Sequence, residues 1–131
     1  MSLTLGEKQE LFAKLVPRLI DEAHAQGFSV RLGETLRFYE QAEYNATHCR
    51  DCKKTKSRHL MDHPFKPIGI RDSLHCKKLA IDIILFKNNS PCWGSEEYEA
   101  LHDFWETLNP LCAKRIKWDG GHFSIGHGGK R

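Results

Sequence analysis

The most regular hydrophobic pattern in the chain runs from Leu79 to Phe86. Leu79, Ile81, Ile83 and Leu85 alternate with Ala80, Asp82, Ile84 and Phe86, a period of two that predicts a strand. Both faces are apolar, as in a strand covered on both sides, yet a carboxylate stands in the middle. A buried carboxylate is costly without a partner, so Asp82 is expected to be paired, protonated or bound to a metal.

Other stretches follow a helical period. Glu7 to about Lys14 predicts a short helix, and Pro17 suits the first turn of a second helix running through Gln26. Leu15, Leu19, Ile20 and Ala23 form the apolar stripe of that second helix, and Gly27 stops it. Phe28, Val30 and Leu32 alternate as a strand, and Glu34 or Thr35 opens a helix to about Ala46. Ser95 is placed to cap a further helix, with Glu96 and Glu97 in its first turn and Tyr98, Leu101, Trp105 and Leu108 as its stripe. His102 falls at the boundary of that stripe. A last strand carries Ile116 and Trp118 and continues into Asp119-Gly120-Gly121-His122-Phe123-Ser124-Ile125. Helices come first and strands are interspersed, so the expected class is α+β, with a small mainly antiparallel sheet packed with helices.

Composition narrows the function classes. At 131 residues, with 40% apolar and 28% charged residues, the chain fits one globular domain over 1–131. No run of 18 apolar residues exists, so no transmembrane segment is expected. The opening Met1–Leu15 stretch mixes charges with apolar residues and has no continuous apolar core, unlike a secretory signal. Cytoplasmic synthesis and storage are therefore expected. Five cysteines without such a signal point to reduced thiols instead of a disulfide framework. The net charge of +3 suits an anionic partner such as a cell wall or nucleic acid without choosing between them.

Two stretches carry the chemistry. His75 lies seven residues before Asp82, after Ser73. In "WDGGHFSI", Asp119 and His122 would face opposite sides of a regular strand, but Gly120-Gly121 permits a kink that brings both to one site. On spacing alone, a plain hairpin turn with a surface Asp and His is the preferred reading of that segment. Two imidazoles and one carboxylate are a ligand set for zinc that leaves a fourth position for water.

Taken together, Ser73-x-His75-x6-Asp82 and Asp119-x-x-His122 resemble the zinc peptidases of the D-alanyl-D-alanine carboxypeptidase family, which includes vancomycin-resistance dipeptidases and small phage endolysins. The family motif is S-x-H-x-x-G-x-A-x-D, followed later by an acidic residue three before a His. "SLHCKKLAID" keeps Ser73, His75, Ala80 and Asp82, with Lys78 in place of the glycine. "DGGH" looks like the endolysin version, and Arg37 and Gln41 match an Arg-x-x-x-Gln segment. The resemblance spans about residues 15 to 126 and implies a hedgehog/DD-peptidase-like fold. It also implies a Zn2+ ion on His75, Asp82 and His122. Asp119 would act as general base, or alternatively would orient a ligand His. Arg37, Ser73, Gln41 and Trp118 would serve the substrate, although Ser73 reads equally as a turn cap and Arg37 as a surface charge. The implied activity is hydrolysis of peptidoglycan stem peptides. The expected form is a monomeric phage or prophage endolysin cutting the L-alanyl-D-glutamate bond, held in the cytoplasm until released to the wall. D-alanyl-D-alanine carboxypeptidase activity shares the same ligands.

The polar, basic insert at about 47–71 is additional. It contains Cys49-x2-Cys52 and His59-x3-His63, a second ligand set whose pairs lie only six residues apart, short for a ββα finger. It reads as a small zinc knuckle or as a flexible loop with reduced thiols. The "KKTKSR" run reads as a solvated face or as a phosphate contact, and no interleaved aromatic residues favour nucleic acid. A non-catalytic zinc-stabilised module binding wall or nucleic acid is the different-class alternative.

Overall fold

The computed structural model describes residues 3–59, 63–69, 73–117 and 119–129. Among them, three α-helices and four strands follow in the order α1 (Leu5–Ala25), β1 (Ser29–Leu32), α2 (Tyr39–Thr47), β2 (Ala80–Lys87), β3 (Ser90–Pro91), α3 (Ser95–Leu108) and β4 (His122–Ser124). Short 3-10 turns occur at Lys56–Arg58 and Leu74–Lys77. The class is α+β with a small antiparallel sheet, as the hydrophobic pattern predicts. No described helix is long and apolar enough to cross a membrane.

β2 is the axis of the sheet. β1 pairs with its second half, from Ser29 opposite Phe86 to Leu32 opposite Ile83. β4 pairs with its first half, setting Ala80 against Ser124, Ile81 against Phe123 and Asp82 against His122. β3 returns beside the end of β2 through Asn88-Asn89, both at positive φ, as a tight two-residue hairpin requires. Leu79, Ile81, Ile83 and Leu85 are buried, whereas Asp82, Ile84 and Phe86 are only partly covered. The strand is thus packed on one face, and its other face is left open at Asp82.

The buried face meets α1 and α3. Phe12, Leu15, Leu19 and Ala23 of α1 join Tyr98, Leu101 and Trp105 of α3 in one core with Phe123 and Ile125. Trp105 sits edge-on to both Phe12 and Phe123, with 6.0 Å between ring centroids in each pair, and its indole N–H donates to Ser124 O at 3.1 Å. Tyr98 Oη accepts from Leu85 N and donates to Cys92 O, each at 3.0 Å, where β3 has ended.

Several local readings are corrected. α1 is one helix, not two: Thr4 and Glu7 form a capping box, and Pro17 lies inside. Pro17 deprives the Ala13 carbonyl of its partner, but both residues are exposed, so water can serve it while the buried stripe runs on. α2 starts at Tyr39, and residues 33–38 precede it as an irregular segment. Leu32 is 61% exposed instead of core. Gly94, not Ser95, is the N-cap of α3, without a side-chain cap bond. The last strand shrinks to three residues, with Ile116 and Asp119 joined by an isolated bridge. His102 is 1% exposed, stacked on Phe123 at 3.9 Å. Burial holds its imidazole down to about 4, and its neutral ring donates through Nε2 to Gly120 O at 3.2 Å.

Lys78 adopts φ 58°, ψ 35° and ends the Leu74–Lys77 turn in the left-handed region. An L residue there costs about 1–2 kcal/mol, which glycine avoids at some cost in unfolded-state entropy. Lys78→Gly is therefore expected to raise stability by about 0.5–1 kcal/mol, and β-branched Lys78→Val to lower it by about 1–2 kcal/mol. Denaturant titration checks this; equal stability of the two variants would contradict it.

Candidate metal centre

The β2–β4 register builds the site. Asp82 and His122 are opposed across the ladder and so project from the same, non-core face. His75 reaches them from the 3-10 turn that leads into β2, a turn capped by Ser73 Oγ, which accepts from His75 N at 3.2 Å. Ser73 is itself buried at this turn.

Three donor atoms converge. His75 Nε2 and His122 Nδ1 each lie 3.2 Å from the same Oδ1 of Asp82. The two imidazoles meet edge to face, 5.1 Å between centroids. A tetrahedral zinc with bonds of about 2.0–2.1 Å has donor-to-donor edges of about 3.3 Å. The observed separations fit that set, and all three ligand atoms lie within 4.8 Å of one another. Burial pushes the Asp82 carboxyl up, but hydrogen bonds and charge from His122 and His75 outweigh it and hold the group well below the usual carboxylate range. It is a permanent anion.

The outward nitrogens, His75 Nδ1 and His122 Nε2, are buried with no hydrogen-bond partner among the described residues. If both imidazoles donate to Asp82, these two atoms are unprotonated acceptors without donors, which is costly. If their inner lone pairs serve a metal, both outward nitrogens carry protons instead. Glu34 Oε1 is then 3.8 Å from His75 Nδ1, positioned as the carboxylate behind a ligand histidine.

Glu34 was not singled out by the sequence, because it falls in a non-periodic segment. Its backbone carbonyl accepts from Asp82 N at 2.9 Å, while Gly33 N donates to Asp82 O at 2.7 Å. Its carboxylate also accepts from Arg37 Nε at 2.6 Å. Arg37 N donates to His75 O at 3.2 Å, so the guanidinium is fixed beside the metal ligands. Gln41 donates to Asn45 Oδ1 at 2.6 Å. A Cβ on Gly69 would lie 3.3 Å from Asn45 Cβ and 3.7 Å from Arg37 Nη1, so these residues form one wall. Trp118 lies outside the described residues.

Asp119 sits on the turn before β4, where His122 N donates to Asp119 O at 3.2 Å. Burial pushes its carboxyl up and the negative charge of Asp82 adds to this, against the pull of His122, His75 and Arg37. The glycines work by close approach instead of positive φ. A Cβ on Gly121 would fall 2.5 Å from Ile83 O, and one on Gly120 would fall 3.2 Å from Tyr98 Cβ. A cleft of about 400 Å³ opens along Asp82 and Asp119 and is bordered by Trp93, Arg115 and Lys117. Trp93 is 80% exposed, a rim residue and not core. Arg115 is ion-paired with Glu99.

The insert holds a second cluster, Cys49, Cys52, His59 and His63, whose ligand atoms also lie within 4.8 Å of one another. All five cysteines of the chain are free thiols. No protein-family profile matches the chain, and no curated protein matches it either.

Two outcomes follow. Gly121→Ala should cost about 2–3 kcal/mol because backbone, not a flexible side chain, blocks the new methyl, whereas Gly120→Ala should cost less than about 1 kcal/mol. Thermal unfolding compares them, and equal melting temperatures would refute the close-approach account. Glu34→Ala should weaken zinc affinity roughly 10–100-fold with the ligands intact. Competition against a chelating dye reads this, and an unchanged affinity would remove Glu34 from the centre.

Proposed function

We propose that this protein is a zinc-dependent peptidase that hydrolyses peptidoglycan stem peptides, as a phage or prophage endolysin cutting the L-alanyl-D-glutamate bond. The observation that carries the reading is the convergence of His75 Nε2 and His122 Nδ1 on Asp82 Oδ1, with Asp82 and Asp119 lining one cleft. The motif resemblance supports it, because the same residues form the structural cluster.

A zinc ion held by these three donors supplies Lewis acidity, which activates water and polarises the scissile carbonyl. Asp119 takes the proton from the attacking water and passes it to the departing amine. Arg37, immobilised by Glu34, presents a guanidinium for a substrate carboxylate or for negative charge developing on the carbonyl oxygen. Arg115 and Lys117 along the cleft complement the carboxylates of a stem peptide. Glu34, whose Oε1 lies 3.8 Å from His75 Nδ1, puts negative charge on the outward side of that ring and so favours the ligating tautomer. In the cell the enzyme would be held in the cytoplasm and admitted to the wall through a membrane pore opened by another protein.

The test is mass spectrometry of purified peptidoglycan after incubation with wild type, chelated wild type and Asp119→Ala. Stem peptides released from their L-alanine are expected from wild type only, with Asp119→Ala slowed roughly 10²–10⁴-fold while still folded and zinc-loaded. Loss of a terminal D-alanine would reassign the bond to a D,D-carboxypeptidase. Undiminished cleavage after chelation would overturn the metal mechanism. No product from any wall type would favour the non-catalytic binding module.

A further inference from the structure

The insert poses a separate physical question. None of its described residues from Arg50 to Gly69 is buried, and only Cys49 at its start is fully enclosed. Ordering such a segment costs roughly 1–2 kcal/mol per residue in backbone entropy, and hydrophobic burial does not offset that here. Yet the segment is folded back on itself. His48 bridges Thr55, Cys49 bridges Pro67, Arg50 N donates to Lys66 O at 2.6 Å and Ile68 N to His48 O at 3.1 Å.

We infer that Cys49, Cys52, His59 and His63 hold a structural zinc ion that clips this insert shut. The donors have the separations of a tetrahedral set. His59 Nε2 and His63 Nε2 are 3.0 Å apart, and His63 Nε2 is 3.5 Å from Cys49 Sγ. With bonds of about 2.0 Å to nitrogen and 2.3 Å to sulfur, a tetrahedron has N–N and N–S edges of about 3.3 and 3.5 Å. Two imidazole nitrogens and a sulfur converge on one point, where their lone pairs together suit a cation.

The backbone is shaped for the same purpose. After Cys52 the chain turns through Lys53 at φ 62°, closed by Lys53 N to Cys49 O at 2.8 Å and Cys49 N to Lys54 O at 2.9 Å. The turn leaves Cys49 fully enclosed, with Arg50 N donating to Lys66 O across the fold beside it. Four protein donors close the site, so its role is structural, unlike the three-donor centre. The clip also reaches the cleft wall. Gly69, at the end of the clipped segment, donates to Asn45 O at 3.0 Å and packs against Asn45 and Arg37.

The inference does not depend on the peptidase reading, and cobalt separates the two. Wild-type protein loaded with Co2+ is expected to bind two equivalents and to show a thiolate-to-cobalt charge-transfer band, which no His2Asp site can give. His122→Ala should lose one equivalent and keep the band. Cys52→Ser should lose the other equivalent and weaken the band, with a lower melting temperature. Cobalt-loaded wild type without a thiolate band, or Cys52→Ser that still binds two equivalents, would overturn the inference. The wild-type spectrum alone decides the matter if Cys52→Ser does not fold.

Discussion

The site depends on the register in which Asp82 faces His122 across β2 and β4. Side chains alternate along a strand, so a slip of one residue would turn His122 into the core and Phe123 out to solvent. Phe123 prevents this. It is fully buried, stacked on His102 and edge-on to Trp105. The hydrophobic core thus fixes the polar site, and the buried face of β2 specifies what the open face presents. Gly121 permits the approach, since its carbonyl accepts from Ile83 N at 2.9 Å with no side chain intervening.

The same residue ties the other edge. Asp82 spends its backbone N–H and C=O on Glu34 and Gly33, and its carboxylate on two imidazoles. Glu34 in turn holds Arg37 and lies behind His75. Backbone pairing, with the turn that leads into β2, therefore brings together these side chains from three stretches far apart in sequence. The local charge balance is lopsided. Asp82 is a fixed anion, Asp119 is pushed up beside it, and the imidazoles contribute lone pairs or protons according to their tautomer. A divalent cation resolves that balance more completely than proton sharing, because it satisfies the inner atoms and frees the outward nitrogens to donate.

What was legible in the sequence is what short-range periodicity encodes. The alternation around Asp82 marked both the strand and its anomaly, and the stripe of α3 was plain. Asp119 and His122 were readable as a pair through the motif resemblance, since the two glycines between them suit a plain hairpin on spacing alone. Glu34 was not readable, since its importance comes from pairing with β2 some fifty residues away. His102 looked like a boundary residue because its environment, the Phe123 ring and the Gly120 carbonyl, is supplied by a distant turn. Pro17 misled for the opposite reason: a strong local signal was overridden by burial of Phe12, Leu15, Leu19 and Ala23 on either side of it. Lys78 shows the same override, holding a left-handed turn that glycine would take with less strain.

The two ligand clusters differ in a way that bears on how a chain this small divides its tasks. One has three donors beside an open cleft, on two strands and the turn that leads into one of them, whose positions the core dictates. The other has four donors in a segment that the core does not touch. An open site can be built only where rigid elements leave a face uncovered, and β2 does so along Asp82, Ile84 and Phe86. A segment without buried apolar area must be held by something other than the hydrophobic effect, and in a domain of this size metal ligation is one of the few sources strong enough. The wall formed by Asn45, Gly69 and Arg37 is where these two solutions meet. There the end of the insert packs against the guanidinium that Glu34 holds.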